Sequence, residues 1–267
     1  MPILHLILIA AIQGLTEFLP VSSSGHLILL PALTGLADQG QVIDVAVHLG
    51  TLFAVILYFW SDVRAAILGL PQLMMGRIDT QGAKLALLLL VSSIPVVALG
   101  LILHMTGLDE MMRSIKVIGW AMLVFGVLLY WSDQIGETHQ SQKDWSVQDA
   151  MILGVWQSIA LIPGTSRSGI TITGARFLGY ARRDAAKLSM LMSIPTIIAS
   201  GAYLGSEVII TANTALIRDG AIAAFFAFWA ALIALSLMMR LLNSISFTPY
   251  VIYRIILGIA LLVIAYT

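Results

Sequence analysis

Apolar residues run along this chain in blocks too long for the one-sided helices of a water-soluble domain. Six blocks, 42–60, 84–104, 115–132, 186–206, 221–242 and 249–266, carry few charges. Crossing a bilayer core takes about 20 apolar residues, so these predict six transmembrane helices. Two further apolar regions, 3–35 and 149–179, are each broken in the middle. The first break reads Gln13-Gly14-Leu15-Thr16-Glu17-Phe18-Leu19-Pro20-Val21-Ser22-Ser23-Ser24-Gly25-His26, the second Pro163-Gly164-Thr165-Ser166-Arg167-Ser168-Gly169. A helix from Ile3 to Glu17 would be about 22 Å long against a hydrocarbon core of about 30 Å. Pro20 and Pro163 cannot donate to a helix ladder, and Gly25, Gly164 and Gly169 permit a turn. Each region is therefore one crossing with a distorted centre or a re-entrant hairpin, and irregular backbone at that depth must be buried in protein or line a wet cavity.

The basic residues choose between these. With two hairpins, one face collects Arg64, Arg77, Lys84, Lys143, Arg176, Arg182, Arg183, Lys187, Arg240 and Arg254, and the other Arg113, Lys116 and Arg218, ten against three. With two single crossings the split is eight against five. The positive-inside bias favours hairpins, with the basic face cytoplasmic and both termini outside. The first hairpin then enters from outside and the second from inside, so that their tips can meet near the midplane.

Composition supports a polytopic membrane protein. The chain of 267 residues is 59% hydrophobic and 10% charged, where a soluble domain is nearer half apolar and a quarter charged. Its zero net charge offers no field for nucleic acid, and the absence of cysteine excludes disulfides, thiolate metal sites and cysteine nucleophiles. The stretch from Met1 to Ala11 lacks the basic start of a signal peptide and reads as part of the mature protein.

The halves echo each other. Gln13 precedes Pro20 by seven residues and Gln157 precedes Pro163 by six, and both prolines lead into a Ser-rich turn ending in Gly. Ser93-Ile94-Pro95 recurs as Ser193-Ile194-Pro195. The expected architecture is all-α: a single integral membrane domain over 1–267, with six transmembrane helices and two opposed re-entrant hairpins in an inverted-topology repeat. Halves 1–132 and 149–267 are joined by a hydrophilic loop, where Asp144, Trp145 and Ser146 read as a helix start at the interface.

The breaks place a carboxylate, an imidazole and a guanidinium among apolar residues, which makes them a functional-site hypothesis by default. After each break a half-helix begins, with unpaired N–H groups and a positive dipole end that suit phosphate. Ser22, Ser23 and Ser24 add hydroxyls at one tip, Thr165, Ser166 and Ser168 at the other, and Arg167 supplies a fork that fits phosphate oxygens. Glu17 lies one helical turn from Gln13 on the same face. A carboxylate repels bound phosphate, so its presence points to phosphoryl transfer, as a base or a ligand for Mg²⁺ or Ca²⁺. His26 is a candidate acid or nucleophile, and Ser23 the alternative nucleophile. The bland readings are capping for Ser22 and Ser24, a structural ion pair for Glu17 with Arg167, and an interior histidine for His26. His5, His48, His104 and His139 read as structural or interfacial, His48 the least safely because Asp44 precedes it by four.

The segments 13–26 and 163–169 resemble the two signature motifs of the undecaprenyl-diphosphate phosphatases of the bacitracin-resistance type, and the likeness extends over the whole chain in length, hydropathy and motif spacing. The resemblance implies a bacterial inner-membrane enzyme that removes the terminal phosphate of undecaprenyl diphosphate, recycling the lipid carrier of peptidoglycan synthesis. It implies a site facing the periplasm, a divalent cation, a polyprenyl diphosphate partner in the bilayer, and a monomer or homodimer. By position, Glu17 is the essential carboxylate and metal candidate, Ser23 and His26 the nucleophile or proton-transfer candidates, and Arg167 the phosphate clamp. Gln13, Ser22, Ser166 and Thr171 fall at supporting polar positions; Gln13 stands where the family accepts Glu or Gln. A transporter or flippase of a polyprenyl phosphate on the same scaffold is the alternative. The acid-phosphatase-related lipid phosphatases share Ser24-Gly25-His26, but the chain lacks their Lys-x6-Arg-Pro segment and their His-x3-Asp after Ser166-Arg167.

Overall fold

The computed structural model describes residues 1–35, 39–108, 112, 114–136, 138–211 and 214–267. Arg113, which entered the charge count, lies outside them. The helices are α1 (Ile3–Glu17), α2 (Ser23–Thr34), α3 (Gly40–Tyr58), α4 (Trp60–Met74), α5 (Gln81–Thr106), α6 (Ile115–Ile135), α7 (Val147–Ser158), α8 (Arg167–Phe177), α9 (Arg182–Thr211), α10 (Thr214–Leu241) and α11 (Thr248–Tyr266), with 3-10 turns at Gln142–Asp144 and Ile159–Leu161. Among the described residues the fold is all-α. Six helices, α3, α5, α6, α9, α10 and α11, are long and apolar enough to cross a membrane, and each covers one of the six predicted blocks.

The broken regions are α1–α2 and α7–α8. Their arms hold 15, 12, 12 and 11 residues, or about 16–22 Å each at 1.5 Å per residue, short of a bilayer core. The buried stripe of α1 runs through Leu6, Ile9, Ala10, Gln13, Gly14 and Glu17, the i, i+3, i+4 spacing of one helix face. It packs on α10, whose Ala223, Ala227 and Ala231 are buried small residues four apart. Small residues let helices approach closely where lipid leaves no hydrophobic drive for association. The same stripe carries Gln13 and Glu17 inward, so the packing of α1 delivers its last turn to the protein interior. α8 is more enclosed: Ser168 to Arg176 are all buried, consistent with polar side chains at this depth being wrapped by protein.

α11 lies against α6, α3 against α10, and α5 against both α4 and α7. At one end of the α6–α11 pair, Asp133 accepts from Arg182 Nε at 2.6 Å and from the Phe247 amide at 3.1 Å, with Arg176 Nε 3.4 Å away. At the other end, Lys116 sits over the Tyr266 ring, 4.6 Å from its centroid. The Met1 amino group meets Asp219 at 2.6 Å.

Three expectations change. α4 was not foreseen: it buries Val63, Ala66 and Gly69 on one face and leaves Ile67, Leu68 and Met74 exposed, a three-residue spacing that sits between two apolar blocks. Trp145 is buried within the protein. The helix start there is divided: Asp144 closes a capping box on Ser141, and Ser146 caps α7 by accepting from the Asp149 amide at 3.1 Å. Arg254 lies on neither face of the charge count; it is wholly buried between the two breaks.

Candidate active site

The backbone at the two breaks is the same. Among the described residues, only Ser22 and Ser166 combine a side chain with positive φ, at φ 71 and φ 70, with ψ 99 and ψ 112. They stand 144 residues apart, and so do Gln13 and Gln157, Ser24 and Ser168, and Gly25 and Gly169. The prolines break this register, since Pro20 matches Gly164 and Pro163 stands one residue earlier. The two Ser-Ile-Pro tripeptides, 100 residues apart on α5 and α9, do not share it. A left-handed non-glycine residue costs on the order of 1–3 kcal/mol and persists where its surroundings demand it. At both breaks a new helix begins at the next residue, α2 at Ser23 and α8 at Arg167.

The two tips touch. Ser168 Oγ donates to the Leu19 carbonyl at 2.9 Å, and the Gly164 amide donates to Ser24 Oγ at 3.4 Å. A Cβ at Gly164 would fall 2.5 Å from the Ile118 carbonyl oxygen, and its φ is +90, so only glycine fits where this turn meets α6.

Glu17, the last residue of α1, lies at the centre. Its Oε2 accepts from Gln13 Nε2 at 2.9 Å and from Ser23 Oγ at 3.0 Å, and its Oε1 accepts from Arg167 Nη2 at 2.7 Å. The carboxylate is 7% exposed and Arg167 15%. Arg167 Nη1 is buried with no protein partner, as is Gln13 Oε1. One donor of the guanidinium fork is thus spent on Glu17 and another remains for an anion.

Other predicted residues stand around this cluster rather than in it. His26 bonds to neither Glu17, Ser23 nor Arg167: its Nδ1 lies 2.7 Å from the Ser22 carbonyl and its Nε2 2.5 Å from the Tyr253 hydroxyl. A carbonyl only accepts, so Nδ1 carries a proton and, in the neutral ring, Tyr253 donates to Nε2. Ser166 caps α8, accepting from the Gly169 amide at 3.1 Å, whereas Ser22 makes no side-chain cap and instead pairs with Ser24 at 3.1 Å. Thr165 Oγ1 is buried without a partner. Thr171 bonds the Arg167 carbonyl at 2.8 Å and the Ser189 hydroxyl, behind the turn. Gly25 approaches Ile118 and Met122 of α6.

The bacitracin resistance protein BacA family model matches residues 6–260. The chain belongs to this family. It is 67% identical over 267 residues to a protein of Ruegeria pomeroyi, 66% to one of Dinoroseobacter shibae and 43% over 263 residues to one of Teredinibacter turnerae, each named undecaprenyl-diphosphatase. The first two alignments cover all of both chains, the third 98% of this chain and 99% of its relative.

Three residues at this BacA-family site were not foreseen there. Tyr253 comes from α11, and only its place beside Arg254 in an otherwise apolar span marked it. His48 was suspected through Asp44; its Nδ1 bonds the Asp44 backbone carbonyl at 2.7 Å, which turns its Nε2 toward Glu17 Oε2 at 3.9 Å. Arg254 reaches both turns from α11. A divalent cation suits the donors only as one that arrives with phosphate. Glu17 offers an anionic oxygen and the unpartnered Gln13 Oε1 a neutral one, and among the described residues no three His, Asp or Glu gather into a cage. Mg²⁺ is commonly held in this way, by one or two carboxylates plus substrate phosphates and water.

Proposed function

We propose that this chain is a membrane phosphatase that hydrolyses undecaprenyl diphosphate to undecaprenyl phosphate and inorganic phosphate, the activity named for its relatives, and so returns the lipid carrier to envelope synthesis and confers bacitracin resistance. The observation that carries the reading is the junction of Glu17, Ser23 and Arg167: a hydroxyl already donating to a carboxylate, beside a guanidinium with a free donor. A site that only held or moved a diphosphate gains nothing from a carboxylate at this place.

In the mechanism, the terminal phosphoryl group lies between Ser23 and Arg167, over the N-termini of α2 and α8. Ser23 Oγ attacks phosphorus while its proton passes to Glu17 Oε2. The bridging P–O bond breaks, and its electron pair leaves on the undecaprenyl phosphate, an anion that needs no strong acid. Water then attacks the phosphoseryl group; as the O–P bond breaks, Glu17 returns its proton to the Ser23 oxygen, and the water's protons leave with the released phosphate. Arg167 Nη1 and the helix N-termini meet the charge that spreads over the phosphoryl oxygens, where most of the rate gain in phosphoryl transfer arises. A cation held through Glu17 and Gln13 would shield the charge of the diphosphate as it enters. His26 supports the Ser22 turn through Nδ1.

The orientation is part of the proposal: inner membrane, tips reached from the periplasm, both termini periplasmic, and two opposed re-entrant hairpins in an inverted repeat. The shared 144-residue register, the short arms and the gathering of Arg176 and Arg182 on Asp133 at one end support it. The single domain, its halves 1–132 and 149–267, and a monomer or homodimer belong to the same reading. Phosphate release by the purified chain in detergent, where there are no membrane sides to cross, tests the function; a protein that binds the lipid but releases no phosphate would be the transporter instead.

A further inference from the structure

Among the described residues, Arg254 is the largest charged side chain fully enclosed by the protein, at 0% exposure. It projects from the buried face of α11, with Val251, Gly258 and Leu261. Nη1 donates to the Pro20 carbonyl at 3.4 Å. Nη2 donates to the carbonyls of Gly164 at 3.2 Å and Thr165 at 2.8 Å, and Nε to that of Met122 at 3.4 Å. Pro20 and Gly164 are equivalent places in the 144-residue register. One guanidinium therefore takes the matching carbonyl of each turn on its two separate arms. Room for it is kept by Gly169: a Cβ there would fall 2.7 Å from Arg254 Nη1.

Among the described residues no carboxylate forms an ion pair with Arg254. Its charge is met by carbonyl dipoles alone, a costly arrangement inside a membrane protein. The other links between the tips are the Ser24, Ser168 and Glu17–Arg167 contacts. Of these, the last belongs to the reacting cluster, and the first two are single neutral bonds at 3.4 and 2.9 Å. The Arg254 fork is the tie outside that cluster that bonds both turns through one side chain, and so bears on how Arg167, on the second turn, faces Ser23, on the first.

We propose that Arg254 is the positioning residue that holds the two turns in register, and that it acts on the reaction through the placement of Arg167 against Ser23 and Glu17 without touching substrate. The inference rests on the phosphatase reading for its kinetic consequence, and on geometry alone for its structural one. The planar fork is what matters. A lysine keeps the charge but is a single point donor that does not span carbonyls of two separate turns.

The test uses the full chain in detergent. Arg254→Lys and the neutral Arg254→Gln are both expected to lower kcat for undecaprenyl diphosphate by about a hundredfold, the scale of an ångström-sized misplacement of catalytic groups, with KM little changed. In an Arg167→Ala background the further loss from Arg254→Lys should shrink to less than about threefold, because residues that act as a unit are non-additive. The chain has no native cysteine, so spin labels at Leu15→Cys and Val155→Cys, exposed on α1 and α7, report the spacing of the two hairpins without reference to activity. Their distance distribution should broaden in Arg254→Lys. Wild-type kcat in Arg254→Lys, full additivity with Arg167→Ala, or an unchanged label distribution would overturn the proposal. So would loss of the folded protein in both Arg254 variants, which would assign the residue to the fold as a whole. If the wild type releases no phosphate, the phosphatase reading fails while the label measurement still judges Arg254.

Discussion

Arg167 Nη2 donates to Glu17 Oε1 at 2.7 Å across 150 residues of sequence, and this bond joins the second turn to the first. Both partners are mostly buried, so breaking the pair strands a charge. Arg167→Ala should lower phosphate release by about 10³-fold or more, the range seen when an arginine is taken from a phosphoryl-transfer site. It should also destabilise the protein by about 3 kcal/mol, because Glu17 is left without its cation. Adding Glu17→Gln should restore much of the thermal stability and none of the activity. Thermal melts in detergent beside phosphate-release rates separate these effects.

Ser23 is the hydroxyl in line with Glu17, while Ser22 pairs with Ser24. Ser23→Ala should therefore lose phosphate release by at least about 10²-fold, the scale of a catalytic proton-transfer step. Ser24→Ala, which loses the Ser22 pairing and the long contact from the Gly164 amide, should lose less than about thirtyfold, since two neutral hydrogen bonds contribute about 1 kcal/mol each. Equal losses in the two variants, measured as kcat, would remove Ser23 from its proposed role.

His26 is held at both nitrogens, and its proton at Nδ1 serves the Ser22 carbonyl. Asparagine places its amide near the position of Nδ1, glutamine near that of Nε2. If the ring supports the turn, His26→Asn should keep more activity than His26→Gln, and Tyr253→Phe should lose less than about tenfold, the cost of one neutral hydrogen bond. If His26 is the general acid, both His26 variants fall by about 10²–10⁴-fold. Steady-state rates for the three variants decide.

Gln13 donates to Glu17 through Nε2 and leaves Oε1 buried without a partner. Gln13→Glu puts a second carboxylate beside the first, a like-charge pair that a divalent cation relieves. The Mg²⁺ concentration for half-maximal rate should fall by about tenfold, equivalent to about 1.4 kcal/mol of tighter cation binding. A titration of rate against Mg²⁺ in wild type and variant checks it; an unchanged midpoint would place the cation elsewhere.

Hydropathy showed where the six spans lie because each holds an 18-residue stretch of high mean hydropathy with at most two charges. It missed α4, whose 15 residues mix buried and exposed apolar positions with Asp62 and Arg64, too short and too mixed for a span. The motifs named Glu17, Ser23 and Arg167, which the structure brings into one cluster, because costly polar residues in apolar surroundings stand out. They also named His26, whose contacts turn it to Tyr253 and away from Glu17. Sequence spacing locates a residue on the chain but not the direction of its side chain across helices. Arg254 shows the same limit. Near the start of an apolar span it counted as a cytoplasmic charge, and only its bonds to Pro20 and Gly164 place it between the turns. The 144-residue register was legible in the serines and glutamines and obscured by the prolines, because the left-handed backbone belongs to Ser22 and Ser166.

The most direct test of the account is the stereochemical course at phosphorus, followed with undecaprenyl diphosphate whose terminal group is a thiophosphate made chiral with oxygen isotopes. Attack by Ser23 and then by water is two displacements, and the account predicts net retention of configuration in the released thiophosphate. Inversion would show that water attacks the terminal phosphorus in a single step, and would contradict the role of Ser23 at the junction of the two turns.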